Sequence, residues 1–213
     1  MESKILKGTT TIGLTCSDGI VFVTDKRASW GTFIASKRAR KVFRINDNVG
    51  ATVAGSVGDA EALMRLMQAE AMLYEMNNKK KMSANAVATL MANILQGSKV
   101  FPYLVQVLVG GMGMDKNATL YTLDPIGGLI EEKMAASGSG SPMAYGVLEL
   151  EYSEIKNVKE NIPIALKAIS SAMSRDTATG DGISLVTITK DGFKKYNDEE
   201  MKGYLAKVPG KKT

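Results

Sequence analysis

The fold of this chain is decided by residues 103–109, which read Tyr-Leu-Val-Gln-Val-Leu-Val. Branched and aromatic side chains on both faces are typical of a strand that must be covered on both sides. Two segments before it have apolar residues at intervals of three and four, which predicts helices. We therefore expect two sheets packed on each other, each with helices on its outer face.

The other predicted elements come in blocks around this segment. Strands are predicted at 9–17, 20–28, 41–45 and 49–55. Two helices follow, the first with the apolar stripe Ala62, Leu66, Ala69, Leu73 and Met76. The second has the stripe Val87, Leu90, Met91, Ile94 and Leu95, and Ser83 is its predicted N-cap. Strands at 118–124 and 129–135, helices at 142–152 and 162–173, strands at 183–190 and 193–196 and a helix from about Asp198 follow; Asp18-Gly19 and Asp191-Gly192 are predicted turns. Strict strand–helix alternation is absent, which disfavours a doubly wound parallel sheet.

Composition favours a single cytoplasmic domain. The chain has 213 residues, of which 45% are hydrophobic and 23% charged, so its core needs neither disulfides nor a metal. No stretch is apolar enough to span a bilayer, and residues 1–8 lack the apolar centre of an export signal. The single cysteine, Cys16, is expected to be buried in a strand. We predict no cofactor.

The net charge of +5 comes from basic clusters at 37–41, 77–81 and 207–213. A nucleic-acid site would interleave aromatic residues with such charge, and aromatics are only 6% of this chain. We therefore interpret these clusters as solvated faces and a frayed tail, with Lys41 as the exception, and expect neither nucleic acid nor a membrane as partner.

The chain has no histidine and one cysteine, which excludes Ser–His–Asp and Cys–His catalysis. Thr9 follows Gly8 and begins a predicted strand only eight residues from Met1. A cut between Gly8 and Thr9 would free an α-amine with a pKa of about 7.7–8.0, which can act as a base near neutral pH. Taken alone, the Thr-Thr-Thr run is better explained as an ordinary β-branched strand start.

Further candidates lie at the ends of predicted elements, and each has an ordinary structural explanation. Asp25 and Lys41 form either an ion pair near Thr9 or a surface pair. The N–H of Gly55 either stabilises an oxyanion or belongs to a tight turn. Ser139 lies in a small polar loop, which cradles a phosphate or borders a catalytic site, although it lacks the Gly-Lys-Ser/Thr ending of a P-loop. Asp176 either orients Ser139 or the Thr9 amine, or only ends a helix.

Taken together, these segments resemble the β-subunits of the proteasome core particle, most closely the archaeal type. The likeness runs from about Lys7 to Lys190. It rests on motifs in the family's order: the Gly8/Thr9 junction, residues 25–27, 41–43, 54–59, 138–142 and 174–176, together with Tyr103 and residues 109–111. The resemblance implies an N-terminal nucleophile hydrolase, an α+β fold built as a four-layer αββα sandwich of two mainly antiparallel sheets.

The resemblance also implies roles for individual residues. Thr9 is then the nucleophile, Asp25 and Lys41 the ion pair beside it, Gly55 the oxyanion donor, and Ser139, Asp176 and Thr179 the network around the amine. Thr9 first attacks the Gly8 carbonyl, which removes residues 1–8 as a leader and leaves 9–213 as one domain with a flexible basic tail from about 205.

The chain departs from the family pattern at Ser29, where threonine is frequent, and at Thr179, where serine is usual. Substrate contacts are implied for Ala28, Ser29, Ala39, Val53 and Val57. Because four of these are apolar, we predict cleavage after hydrophobic residues.

The implied partners are further β-subunits in homo- or hetero-heptameric rings, two stacked rings flanked by α-subunit rings, an ATP-dependent unfoldase, and unfolded polypeptide substrates. Two alternatives stay open. One is a structural or unprocessed β-ring subunit that keeps its leader and supports assembly or a second, active β-subunit. The other is a related N-terminal nucleophile amidase or the simpler two-ring bacterial protease.

Overall fold

A computed structural model describes residues 8–113 and 117–206. Most of the predicted leader and most of the predicted tail, residues 1–7 and 207–213, therefore lie outside the described residues. In chain order the elements are β1 (Thr11–Cys16), β2 (Gly19–Asp25), β3 (Ala28–Trp30), β4 (Phe33–Ser36), β5 (Val42–Asn46), β6 (Val49–Gly55), α1 (Val57–Asn78), α2 (Ala84–Gly97), β7 (Val105–Met112), β8 (Ala118–Leu123), β9 (Leu129–Glu132), β10 (Met134–Ser137), α3 (Ser141–Glu151), α4 (Val158–Arg175), β11 (Ile183–Thr189), β12 (Gly192–Lys195) and α5 (Asp198–Leu205).

Two antiparallel sheets form the centre of the fold. The first has the strand order β10-β1-β2-β11-β12 and the second β5-β6-β7-β8-β9, while β3 and β4 form a separate hairpin. Between the sheets lies an apolar layer that includes Phe22, Leu108, Leu120 and Ile188. The strand over residues 105–112 is the middle strand of the second sheet and is buried on both faces for most of its length, as its sequence predicts.

Helices cover the outer face of each sheet. Side chains of α1 and α2 share one apolar core with the second sheet, and side chains of α3, α4 and α5 share another with the first. The predicted αββα sandwich is therefore confirmed. Ser83 caps α2 as predicted, since its Oγ accepts a hydrogen bond from the N–H of Ala86 at 3.2 Å. Within the described residues, no helix is both long enough and apolar enough to cross a membrane.

The apolar stripe that predicts α1 does not face the sheet. Leu66, Leu73 and Met76 are 39%, 51% and 63% exposed, whereas the buried face carries Leu63 and Met67. Both faces of this helix have apolar residues at helical spacing, so periodicity alone does not say which face packs on the sheet. The structure leaves the predicted stripe on the outside of the molecule.

The strand boundaries also differ in four places. The hairpin turns are Ser17-Asp18 and Lys190-Asp191, because Gly19 and Gly192 already pair as first residues of their strands. The single strand predicted over 129–135 is two strands: β9 pairs with β8 in the second sheet, and β10 pairs with β1 in the first. The predicted strand over 20–28 breaks after Asp25, and the β3–β4 hairpin follows.

Candidate active site

Thr9 lies just before β1 and is only 5% exposed. It borders a cavity of about 250 Å³. The cavity brings together nine of the residues predicted from the sequence: Gly8, Thr9, Ala28, Ser29, Ala39, Lys41, Val53, Gly55 and Val57. The remaining predicted residues, Asp25, Ser139, Asp176 and Thr179, are connected to this set by hydrogen bonds described below.

Several further residues of the cavity were not predicted. Trp30 and Ala35 come from the β3–β4 hairpin, Phe43 from β5, and Ala60 and Glu61 from the first turn of α1. The hairpin has no strong turn dipeptide, which is why the sequence did not indicate it. Glu61 is the one acidic side chain that lines the cavity, and its only ion-pair partner in the described part of the chain is Arg65 at 3.6 Å.

A buried ion pair lies beside Thr9. The ammonium of Lys41 donates a hydrogen bond of 2.6 Å to Oδ1 of Asp25, and the two side chains are 5% and 0% exposed. The Asp25 carboxylate also accepts from the backbone N–H groups of Thr10, Arg27 and Gly180, each at 3.0 Å. Four donors therefore fix the carboxylate, as a buried charge requires.

Burial lowers the pKa of Lys41 below its ordinary value of 10.5, and the adjacent Asp25 carboxylate opposes this change. The ammonium thus stands in a site with little water, where a charge acts strongly on its neighbours. A positive charge at this position favours the ionised form of a nearby hydroxyl.

Arg27 holds the loop that follows α4. Its Nε donates to Oδ2 of Asp181 and its Nη1 to the carbonyl of Thr177, both at 2.6 Å. The guanidinium lies against Gly180, where an added Cβ would be 2.5 Å from Nη2. Because the Gly180 N–H binds Asp25, this clamp positions one of the four donors of the carboxylate.

A second network lies on the other side of Thr9. The Thr9 N–H donates to Oγ of Ser139 at 3.2 Å, and Ser139 donates to Oδ2 of Asp176 at 2.5 Å. Thr179 donates to the same carboxylate oxygen at 2.5 Å and its Oγ1 is 2.7 Å from Oγ1 of Thr10. The structure thus places the Thr9 nitrogen at the end of a hydroxyl–carboxylate chain.

Two glycines are required by close approaches. Gly55 has φ of +127°, and an added Cβ would lie 2.1 Å from the carbonyl oxygen of Leu104. A Cβ on Gly8 would lie 1.7 Å from that of Ala178. The backbone is therefore packed tightly on both sides of the cavity, and α1, whose N-terminus adds positive potential, begins two residues after Gly55.

Chemically, the site combines a secondary hydroxyl at a cavity wall, a buried ammonium, a backbone nitrogen held by hydroxyl groups, and a helix N-terminus. These are the parts needed to stabilise an attacking alkoxide and a developing oxyanion without imidazole.

Comparisons of the sequence with a family model and with similar proteins agree on one family. A family model described as "Proteasome subunit" matches residues 5–188. The chain is 51% identical over 208 residues to "Proteasome subunit beta" of Archaeoglobus fulgidus, covering 97% of this chain and 97% of that protein. It is 52% identical over 207 residues to the protein of that name from Methanosarcina mazei, covering 96% and 98%, and 50% identical over 208 residues to that from Methanocaldococcus fervens, covering 97% and 93%.

Proposed function

Because this chain belongs to the proteasome subunit family and its relatives are archaeal β-subunits, we propose that it is a threonine endopeptidase of the proteasome core particle. The observation that carries this proposal is the position of Thr9: its side chain borders a cavity that Lys41 also lines, and its nitrogen binds Ser139. Because histidine is absent, the base must come from elsewhere, and we propose that it is the α-amine of Thr9.

The first step is removal of the leader, residues 1–8. Oγ of Thr9 attacks the carbonyl carbon of Gly8, and its proton passes to the Thr9 nitrogen. The Gly8–Thr9 C–N bond breaks as a C–O ester bond forms, which frees the Thr9 α-amine. Water then hydrolyses the ester, which frees the Gly8 carboxylate and restores the Thr9 hydroxyl. The mature domain begins at Thr9. Ser29 supports this geometry, because its Oγ accepts a hydrogen bond of 3.1 Å from the Gly8 N–H and so anchors the residue to be cut.

Peptide cleavage follows the same chemistry with the free amine as base. The amine accepts the Oγ proton through a water molecule, Oγ bonds to the substrate carbonyl carbon, and the oxyanion is stabilised by the Gly55 N–H and the adjacent helix N-terminus. The proton passes to the leaving amine, and water hydrolyses the resulting ester. The Lys41 ammonium stabilises the alkoxide, while Ser139, Asp176 and Thr179 orient the Thr9 amine.

Cleavage after hydrophobic residues is supported by the lining of the cavity. Ala28, Ala39, Val53 and Val57 are joined there by Phe43 and Ala60, all apolar. Three charged residues, Arg40, Lys41 and Glu61, also line the cavity. We propose that the Glu61 carboxylate provides a second, weaker subsite for a basic side chain.

Assembly into rings confines such an activity. We propose two stacked heptameric β rings flanked by α rings and supplied with unfolded polypeptides by an ATP-dependent unfoldase in the cytoplasm. The exposed apolar stripe of α1, which includes Leu66, Leu73 and Met76, supports a surface that a neighbouring subunit covers. The alternative of an inactive structural subunit is less favoured, because Thr9, Asp25 and Lys41 are all present and in contact with the site.

The test is a mass spectrum of the assembled particle together with hydrolysis of fluorogenic peptides. The wild-type chain is expected to begin at Thr9 and to hydrolyse a peptide with leucine before the cut. Thr9→Ala should keep residues 1–8 and be inactive, and Thr9→Ser, which keeps the hydroxyl, should retain processing. Peptidase activity in assembled Thr9→Ala would contradict the proposal, and preference for acidic residues before the cut would contradict the assigned specificity.

A further inference from the structure

A second cavity, of about 460 Å³, lies behind the segment that carries Lys41. It opens between the edge strands of the two sheets, with Phe193 and Lys195 from β12 on one side and Val42 and Arg44 from β5 on the other. Ala39, Arg40 and Lys41 line both this cavity and the one that contains Thr9. We call it the basic pocket.

The rim of the basic pocket is strongly cationic. Besides Lys41, it is lined by Lys26, Arg38, Arg40, Arg44 and Lys195, and no carboxylate lines it. Two carboxylates pair with these cations from outside: Asp198 is 3.7 Å from Lys26, and Asp47 binds Arg44.

The other three cations, Arg38, Arg40 and Lys195, have no ion-pair partner within residues 8–113 and 117–206. Like charges converging on one cavity repel each other, and the repulsion is relieved when an anion enters.

Contacts with the protein restrain Arg40 and the wall beside it, although Phe43 itself lines the Thr9 cavity. The Arg40 guanidinium lies 4.6 Å from the ring centre of Phe43, and its Nε donates to the carbonyl of Val42 at 3.3 Å. Backbone bonds fix the wall itself, since the Ala39 N–H donates to the carbonyl of Lys26 at 2.9 Å. An arginine held in this way loses little conformational freedom when it binds a ligand.

From this geometry we propose that the basic pocket binds a phosphate-bearing anion with more than one phosphate group. Guanidinium groups match the oxygens of phosphate with paired hydrogen bonds, and three unpaired cations need more than one negative charge. The floor is apolar where Val42, Val186 and Phe193 line it, while the hydroxyl of Ser184 adds a neutral donor. The basic pocket shares residues 39–41 with the Thr9 cavity, but its test measures phosphate binding and so does not depend on the activity of Thr9.

Binding of inorganic triphosphate to the full-length chain can be measured by calorimetry at fixed ionic strength. We expect one saturable site per chain with a Kd below about 1 mM. Arg38→Ala and Lys195→Ala are each expected to weaken binding about tenfold, the value of one charge-assisted hydrogen bond. Lys80→Ala and Lys99→Ala, which remove exposed charges elsewhere, should leave it unchanged.

The same titration with other ligands identifies the source of the phosphate. Equal affinity for ATP and triphosphate means that the phosphate chain alone is recognised, whereas tighter binding of ATP means that a nucleoside contacts the apolar floor; both results support the site. Three results overturn it: no saturation by triphosphate, equal weakening by the control variants, or binding of a glutamate-rich peptide without binding of triphosphate. All four variants alter exposed side chains, and thermal unfolding without ligand checks that each is folded.

Discussion

Replacing Asp25 with alanine should show how much the buried Asp25–Lys41 ion pair contributes to the stability of the folded chain. In Asp25→Ala the Lys41 ammonium stays 95% buried without its partner, and three backbone N–H groups lose their acceptor. At 2.6 Å and an effective dielectric constant of about 20, the lost attraction is about 6 kcal/mol before desolvation is subtracted. Breaking a buried pair costs about 3–5 kcal/mol in practice, so we expect Tm to fall by about 6–20 °C.

The matched control removes the other partner. Lys41→Met takes away the ammonium but leaves the Asp25 carboxylate with its three backbone donors, so its cost should be smaller. In the double variant the unpaired ammonium is gone, and the protein should be more stable than Asp25→Ala alone. All three variants should lack peptidase activity, because each removes or displaces the charge beside Thr9.

Chemical denaturation of the unassembled chain, measured by circular dichroism, gives the free energies of unfolding for this cycle. If the two single effects simply add in the double variant, the cost does not come from an unpaired charge. A change of less than about 1 kcal/mol in the free energy of unfolding of Asp25→Ala would likewise exclude a buried ion pair that stabilises the fold.

Four further results are expected. Burial lowers the pKa of Lys41, so kcat/KM should fall with rising pH at a pH below 10.5. Between the lowered pKa and 10.5 the unfolded chain binds more protons than the folded chain, so the contribution of Lys41 to stability should rise with pH there. Activity and the free energy of unfolding, each measured against pH, check the two directions. Gly8→Ala should slow leader removal, because its Cβ would overlap that of Ala178, and Ala178→Gly should partly restore processing in mass spectra. Arg27→Lys should lower kcat more than it raises KM, because an ammonium cannot span the two acceptors held by the guanidinium fork. Glu61→Gln should reduce hydrolysis after arginine relative to hydrolysis after leucine, and an unchanged ratio of the two rates would remove this residue from the substrate pocket.

The layers of the fold were predictable because they follow from short-range patterns. A strand that is apolar on both faces demands cover, and the helix stripes at 87–95 and 162–173 are buried largely as predicted. The inward face of α1 was not predictable, since both of its faces are apolar. The switch from β9 to β10 was hidden for a related reason: residues 129–135 read as one strand, and only their pairing partners show that the chain crosses from one sheet to the other.

The site residues also fall into two groups, those that the sequence indicates and those that only the folded structure brings to the cavity. Thr9, Asp25 and Lys41 could be proposed from the sequence because their chemical types and order match a family pattern. Arg27, Glu61 and Trp30 were missed as site residues because their roles depend on distances across the fold. Arg27 acts on a loop some 150 residues away, and Trp30 reaches the cavity through a hairpin that has no sequence signal. Contacts of this kind follow from tertiary packing and leave no periodic trace in the chain.

One feature of the network around Thr9 explains why a single nitrogen can serve both before and after cleavage. Ser139 has one hydroxyl hydrogen, and its shortest contact, 2.5 Å, directs that hydrogen to Asp176. Its oxygen is then an acceptor toward the Thr9 nitrogen, which donates as an amide in the uncleaved chain. A free amine at the same place keeps that donated bond and gains a lone pair, so the bond which holds the strand before cleavage orients the base after it. In the proposed mechanism, Ser139 therefore accepts from the Thr9 nitrogen both before and after the leader leaves.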